Sequence, residues 1–183
     1  MRKRVAAALL VVAAAAAYAA DLTGFAPEKS SINFVSKQMG VPVDGKFRKF
    51  DAKLAVDPAK PEAGKIQIDI DLASVDTGSK DGDDEVKGKN WFNVAAFPKA
   101  SFVSSSVKAL GGGKYEAAGK LTIKGTSRDI NAPFTVKPDA AGALFEGSLK
   151  INRLQFKVGE GPWGDTETVA DEVLIRFKVY AKT

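Results

Sequence analysis

The carboxylates Asp81, Asp83, Asp84 and Glu85 crowd one short stretch of the chain, and a cluster of hard oxygens invites a calcium reading. The stretch lacks the D-x-[DN]-x-[DN]-G order that wraps oxygens around the ion. Its spacing predicts instead the solvated start of a short helix, where negative charge is favoured. Asp69 and Asp71 form a second acidic pair. Glycosidic chemistry needs carboxylates facing each other across a cleft, whereas these two share one face of one strand and read as its wet side. Lys124, Gly125 and Thr126 imitate the end of a phosphate loop, but the glycine follows the lysine instead of preceding it, and the segment reads as a hairpin turn. Histidine and cysteine are both absent. That removes Ser-His and Cys-His nucleophiles, zincins, His- or Cys-ligated haem, thiol redox chemistry and disulfides. No cofactor or metal is expected, and an enzyme would have to work with carboxylates alone.

The elements that position these residues begin after a leader. Arg2, Lys3 and Arg4 precede an apolar run from Val5 to Ala17, and Ala17 and Ala19 flank Tyr18 as a cleavage site requires. The run is shorter than the ~20 residues of a membrane-spanning helix. Residues 1–19 are therefore expected to be a signal peptide and 20–183 one exported domain, which places the protein in the periplasm without stable membrane insertion. The leader carries three of the 27 basic residues, so the remainder is nearly balanced, 24 against 22 acidic. Those charges are interspersed, which gives no stripe for nucleic acid.

From residue 30 onward the dominant period is two. Ile66, Ile68, Ile70 and Leu72 alternate with Lys65, Gln67, Asp69 and Asp71, so one face is buried and the other wet. The pattern repeats through Tyr115–Ile123, Ile130–Val136, Ala143–Ile151 and Val173–Ala181, with weaker strands at Ser31–Lys37 and Ser101–Val107. The series Val41, Val43, Phe47 slips phase before Phe50, Ala52, Leu54 and Val56, and predicts a bulge or bend at Arg48 and Lys49. Turn signals lie at Pro58–Gly64, Gly111–Gly113, Gly125–Ser127 and Pro138–Gly142. The expected fold is all-β: an eight-stranded antiparallel barrel, the bent strand counted once, with a short helix and long end loops. Two stretches break the pattern, 79–97 and 158–171, and read equally as lids or as plugs.

A barrel of this size either fills with side chains or holds one small ligand. Its inferred inner face carries Phe34, Phe47, Ile68, Leu121, Phe134, Phe145, Leu149 and Phe177 among the small Gly45, Ala117, Gly119, Ala132 and Gly147. Small residues midway along the wall are expected to leave room, although interdigitation that fills the barrel fits the composition as well.

Five segments carry a family resemblance: GVPVDGKFRKFDA at Gly40–Ala52, VDTG at Val75–Gly78, NWFNVAAFPKASF at Asn90–Phe102, GKLTIKGTSRDINAPF at Gly119–Phe134, and INRLQF at Ile151–Phe156. Together they resemble the YceI family over essentially the whole chain after the leader. The resemblance implies a lipocalin-like barrel, a periplasmic location, and a long apolar pocket for a polyisoprenoid, an isoprenoid quinone-like lipid or another long-chain amphiphile. It places Trp91, Phe92, Phe97 and Trp163 near the pocket and Phe34, Phe47, Phe134 and Phe145 along it. Many relatives have a histidine-containing stretch where this chain has DGDDEVKGK at Asp81–Lys89; a head-group or metal role there does not carry over.

The expected function is enclosure of that lipid, for transport, storage or stress protection, without catalysis. Two competing readings are an outer-membrane β-barrel and a carboxylate-dependent periplasmic lipid hydrolase. The first is disfavoured by three Tyr and two Trp, too few for two aromatic girdles. Pairing of the chain into a homodimer stays open.

Overall fold

Alternating apolar residues make strands that must hide one face, and the protein does so by curling a single sheet around its own inner side. The computed structural model describes residues 22–57 and 60–182; the leader expected over residues 1–19 lies outside them. The elements are β1 (Gly24–Phe25), β2 (Ser31–Gln38), β3 (Val41–Phe47), β4 (Phe50–Ala55), β5 (Lys65–Asp71), β6 (Val75–Asp76), α1 (Lys80–Lys87), β7 (Lys99–Gly111), β8 (Lys114–Ile123), β9 (Thr126–Asp139), β10 (Gly142–Asn152) and β11 (Glu172–Lys182). The sheet order is β4-β5-β7-β8-β9-β10-β11-β2-β3-β6, with β1 on β11. All pairings are antiparallel.

The phase slip in the sequence is the hinge of this ring. β3 pairs with β2 and β4 pairs with β5, so the two arms of one bent strand occupy opposite ends of the sheet path. At the bend Arg48 N donates to Ser74 O at 3.0 Å, and Lys49 O accepts from Asp71 N at 3.1 Å. The strand count differs from the expected eight: the described residues form eleven strands. The surplus is the split of the bent strand plus two short strands, β1 and β6, which carry no periodic signal at two residues each. Leu22 bridges Val56 while Gly24 and Phe25 pair with Lys182 and Ala181, and this segment seals the seam between β4 and β11.

The expected short helix is α1. Ser79 Oγ accepts from Gly82 N at 3.1 Å, Asp81 and Asp83 sit in its first turn and Lys87 in its last, an arrangement that suits the helix dipole. Two carboxylates of the cluster have local partners. Asp83 accepts from Thr77 N and Thr77 Oγ1 at 2.6 and 2.8 Å, and Asp84 pairs with Lys80.

One expectation is corrected by the inner wall. Gly45, Gly119 and Gly147 do not leave open space, because aromatic rings lie over them. A Cβ on Gly45 would fall 2.2 Å from Phe34 Cζ, one on Gly119 2.8 Å from Phe102, and one on Gly147 2.6 Å from Phe177 Cζ. Phe34 and Gly45 are cross-strand partners, as are Phe177 and Gly147, so the missing side chain lets a ring pack flat on the neighbouring backbone.

The end of the barrel formed by the termini of β4, β7 and β11 is filled by Leu22, Leu54, Val56, Val107, Phe134, Phe145 and Val179, all buried. The opposite end differs. There the strands give way to two excursions, 72–98 with α1 and 153–171 with the glycine-rich loop, and a cavity opens beneath them.

Candidate functional site

The inward series of β2 sets the polarity of the cavity wall. Ile32 and Phe34 lie deep, opposite Phe47 and Gly45, while Ser36 and Gln38 approach the hairpin at Met39 and Gly40, opposite Val43 and Val41. The upper cavity measures about 430 Å³, within the usual range of small-ligand sites. A second cavity of about 110 Å³ lies deeper, with a wholly apolar wall that includes Ile68, Ile130, Phe145 and Leu149. The two share Ile32, Ile70, Leu121 and Ile175, so they are stacked along one lumen. An apolar void of roughly 150 Å³ stays dry, and the deeper space has a comparable size and wall chemistry.

Both excursions cover the mouth and are tied to each other. Asn90 O accepts from Gly159 N and Glu160 N, both at 2.8 Å. Trp163 Nε1 donates to Glu85 Oε1 at 2.7 Å, joining the glycine-rich loop to α1. The rings of Trp91 and Trp163 lie 5.6 Å apart, and Phe47 links Phe34 at 5.5 Å to Phe92 at 6.0 Å. Trp91 is buried on the cavity wall, and its Nε1–H has no hydrogen-bond partner.

Arg153 organises the loop. Only 3% exposed, it donates to the carbonyls of Ala170, Val158, Gly159, Trp163 and Val169 at 2.7–3.1 Å, and its guanidinium lies 5.6 Å from the Trp91 ring. Burial pushes its pKa down, with Asp171 opposing the shift. Five backbone carbonyls therefore turn toward one cation, and this bends residues 158–170 over the lumen. The hairpin of β2 and β3 holds the other side of the same loop: Met39 N donates to Thr168 O at 2.8 Å and Ala170 N to Lys37 O at 3.0 Å.

Of the residues singled out in the sequence, Phe34, Phe47, Trp91, Phe92 and Trp163 line the upper cavity. Ile68, Phe134, Phe145, Leu149 and Phe177 line the deeper one, and Leu121 lines both. Phe97 lines neither; its ring lies against Gly125 at the β8–β9 turn, where a Cβ would meet Cε1 at 2.8 Å. Sequence reasoning missed Arg153, Glu85 and Phe156 on the upper wall. Ile70, Ile123, Ile151 and Ile175 were legible as inward residues from their period of two, but nothing local separates a lining residue from a packed one. Asp69 accepts from Gln67 Nε2 at 2.8 Å and Asp71 from Ala73 N at 3.0 Å, so that acidic pair serves its own strand end.

Comparison with known proteins gives one consistent result. The YceI-like domain profile matches residues 24–181. A UPF0312 protein of Ectopseudomonas mendocina is 32% identical over 148 residues, 80% of this chain and 66% of the relative, and one from Azotobacter vinelandii is 31% identical over 73% and 60%. The chain thus spans about two thirds or less of the length of these two relatives. The crystal structure of Burkholderia cenocepacia BcnA superposes with a TM-score of 0.85 at 46% identity, covering 87% of this chain and all of that one. A polyisoprenoid binding domain from Saccharophagus degradans shares the fold, with a TM-score of 0.71 at 16% identity over 90% and 99% of the two chains.

Proposed function

From the membership of this chain in the YceI-like family, shown by the match over residues 24–181, we propose that it is an exported, non-catalytic carrier that encloses a polyisoprenoid or similar long-chain amphiphile. The observation that carries this reading is the two-stage lumen: a cavity of about 430 Å³ that continues into a wholly apolar one of about 110 Å³. A hydrocarbon tail threaded through both would gain about 0.8 kcal/mol for each buried methylene. The polyisoprenoid binding named for the Saccharophagus degradans domain supports the same ligand class. Export to the periplasm is proposed from the leader-like residues 1–19.

The outer wall argues against a membrane-embedded barrel. Glu146 pairs with Lys137 at 2.9 Å and with Lys178 at 3.3 Å, and Lys150 pairs with Glu172 at 2.9 Å, on the face that lipid would have to cover. Among the described residues the upper cavity is lined by one carboxylate, Glu85, already engaged by Trp163, and these supply no acid–base pair for hydrolysis. The test is solvent extraction of the purified protein with mass spectrometry of the extract, then titration with a C20 prenol followed by tryptophan fluorescence. Both tryptophans of the chain line the upper cavity, so a bound tail is expected to change their emission. A protein that is empty as purified and unresponsive to the prenol overturns the reading.

A further inference from the structure

The mouth of the cavity has a charge pattern that restricts what kind of head the bound molecule can carry. Among the described residues lining the upper cavity, formal charge comes from two side chains, Arg153 and Glu85. The guanidinium is committed: Nε and both terminal nitrogens donate to five backbone carbonyls, which exhausts its five N–H groups. Glu85 gives one carboxylate oxygen to Trp163 Nε1. It stands on α1, which also carries Asp81, Asp83 and Asp84. The other polar liners, Asn33, Ser36, Gln38, Thr77 and Ser79, are neutral. Ser36 and Gln38 stand at the rim end of β2, above the apolar Ile32 and Phe34.

We propose that the site selects amphiphiles with an uncharged hydrogen-bonding head, a hydroxyl or a carbonyl, and discriminates against phosphorylated heads. The inference rests on the lipid-binding reading and refines it. A neutral oxygen finds hydroxyl and amide partners at the rim. A diphosphate finds no cation among the described wall residues that is free to pair with it, and it faces the exposed Glu85 carboxylate at the mouth, where like charges repel to the extent that salt leaves them unscreened.

The experiment compares geranylgeraniol with geranylgeranyl diphosphate, two molecules with the same C20 tail, in fluorescence titrations of the full-length mature protein at low and high salt. The alcohol is expected to bind at least about tenfold more tightly at low ionic strength, with the gap narrowing as salt screens the mouth. Glu85→Gln keeps an acceptor for Trp163 and removes the charge; it is expected to shrink the ratio several-fold. Ser36→Lys places a cation on the inner face of β2 near the rim and is expected to reverse the preference. Tighter binding of the diphosphate by the unmodified protein overturns the head-group selection and leaves the carrier reading intact. Failure to bind either molecule overturns both.

Discussion

The two ends of the barrel use the same strands for opposite purposes. At the closed end Phe134, Phe145, Val107 and Val179 pack beneath the sealed seam at Leu22–Phe25, and the chain's own side chains leave the small deeper cavity of about 110 Å³. At the mouth the wall is equally apolar, but the strands stop and backbone loops bridge the gap. Those loops are held by Arg153, by Asn90 and by the contact between Trp163 and Glu85. Loops with polar backbone cannot interdigitate as side chains do, so space remains beneath them. The closer packing at one end and the wider cavity at the other therefore follow from which groups close each end, and not from how greasy each wall is.

Substitutions break or sharpen this contrast. The largest effect is expected at the closed end. Phe145→Ala removes a ring that is 3% exposed and packed at a tilt 5.8 Å from Phe134; it should cost about 3–5 kcal/mol in denaturant unfolding. Phe34→Ala, at the mouth, should cost less than half of that, because its ring is only half-buried and borders the larger cavity. Equal losses would erase the distinction between the two ends. Next in size is Arg153→Met, which leaves five carbonyls to find water and should cost about 3 kcal/mol. Amide exchange should accelerate over 158–170 well before it does in β8–β10, and uniform acceleration would mean that the arginine holds the whole fold.

A smaller effect on stability but a larger one on binding is expected from Val173→Trp, which fills the upper cavity from its wall. Unfolding free energy should move by less than about 1.5 kcal/mol, while prenol affinity falls at least about tenfold. Undiminished affinity would place the ligand elsewhere. Glu85→Ala should change stability by less than about 1 kcal/mol yet alter Trp163 fluorescence, since the indole N–H loses its acceptor.

The smallest effects concern pH. Arg48 holds Asp76 below the usual carboxylate range, and the backbone and hydroxyl of Thr77 do the same for Asp83. A carboxyl held low in the fold contributes stability that is fully present above its unfolded value, near ~3.9, and is lost as pH falls through the folded value. Stability should therefore be level near neutrality and decline below about pH 4. Asp83→Asn should flatten that decline; an unchanged acid profile in the variant would remove Asp83 from the account. Asp139 is lowered in the same way, by the Tyr180 hydroxyl and Ala141 N–H, so some acid sensitivity is expected at the closed end too.

Taken alone, the residue order determined the strands, the bend and the inward set. A period of two is a local property, and the phase slip between Phe47 and Phe50 announces a hinge wherever the partners lie. It also excluded histidine and cysteine chemistry outright. Where the empty space lies was decided only by tertiary structure. Gly45 and Gly147 suggested room, yet rings from neighbouring strands occupy those places, because whether a glycine is vacant depends on the residue across the ladder. Arg153 shows the same limit from the other side. A buried arginine and a surface one look identical in a sequence, and its role exists only once five carbonyls of residues 158–170 have been turned toward it.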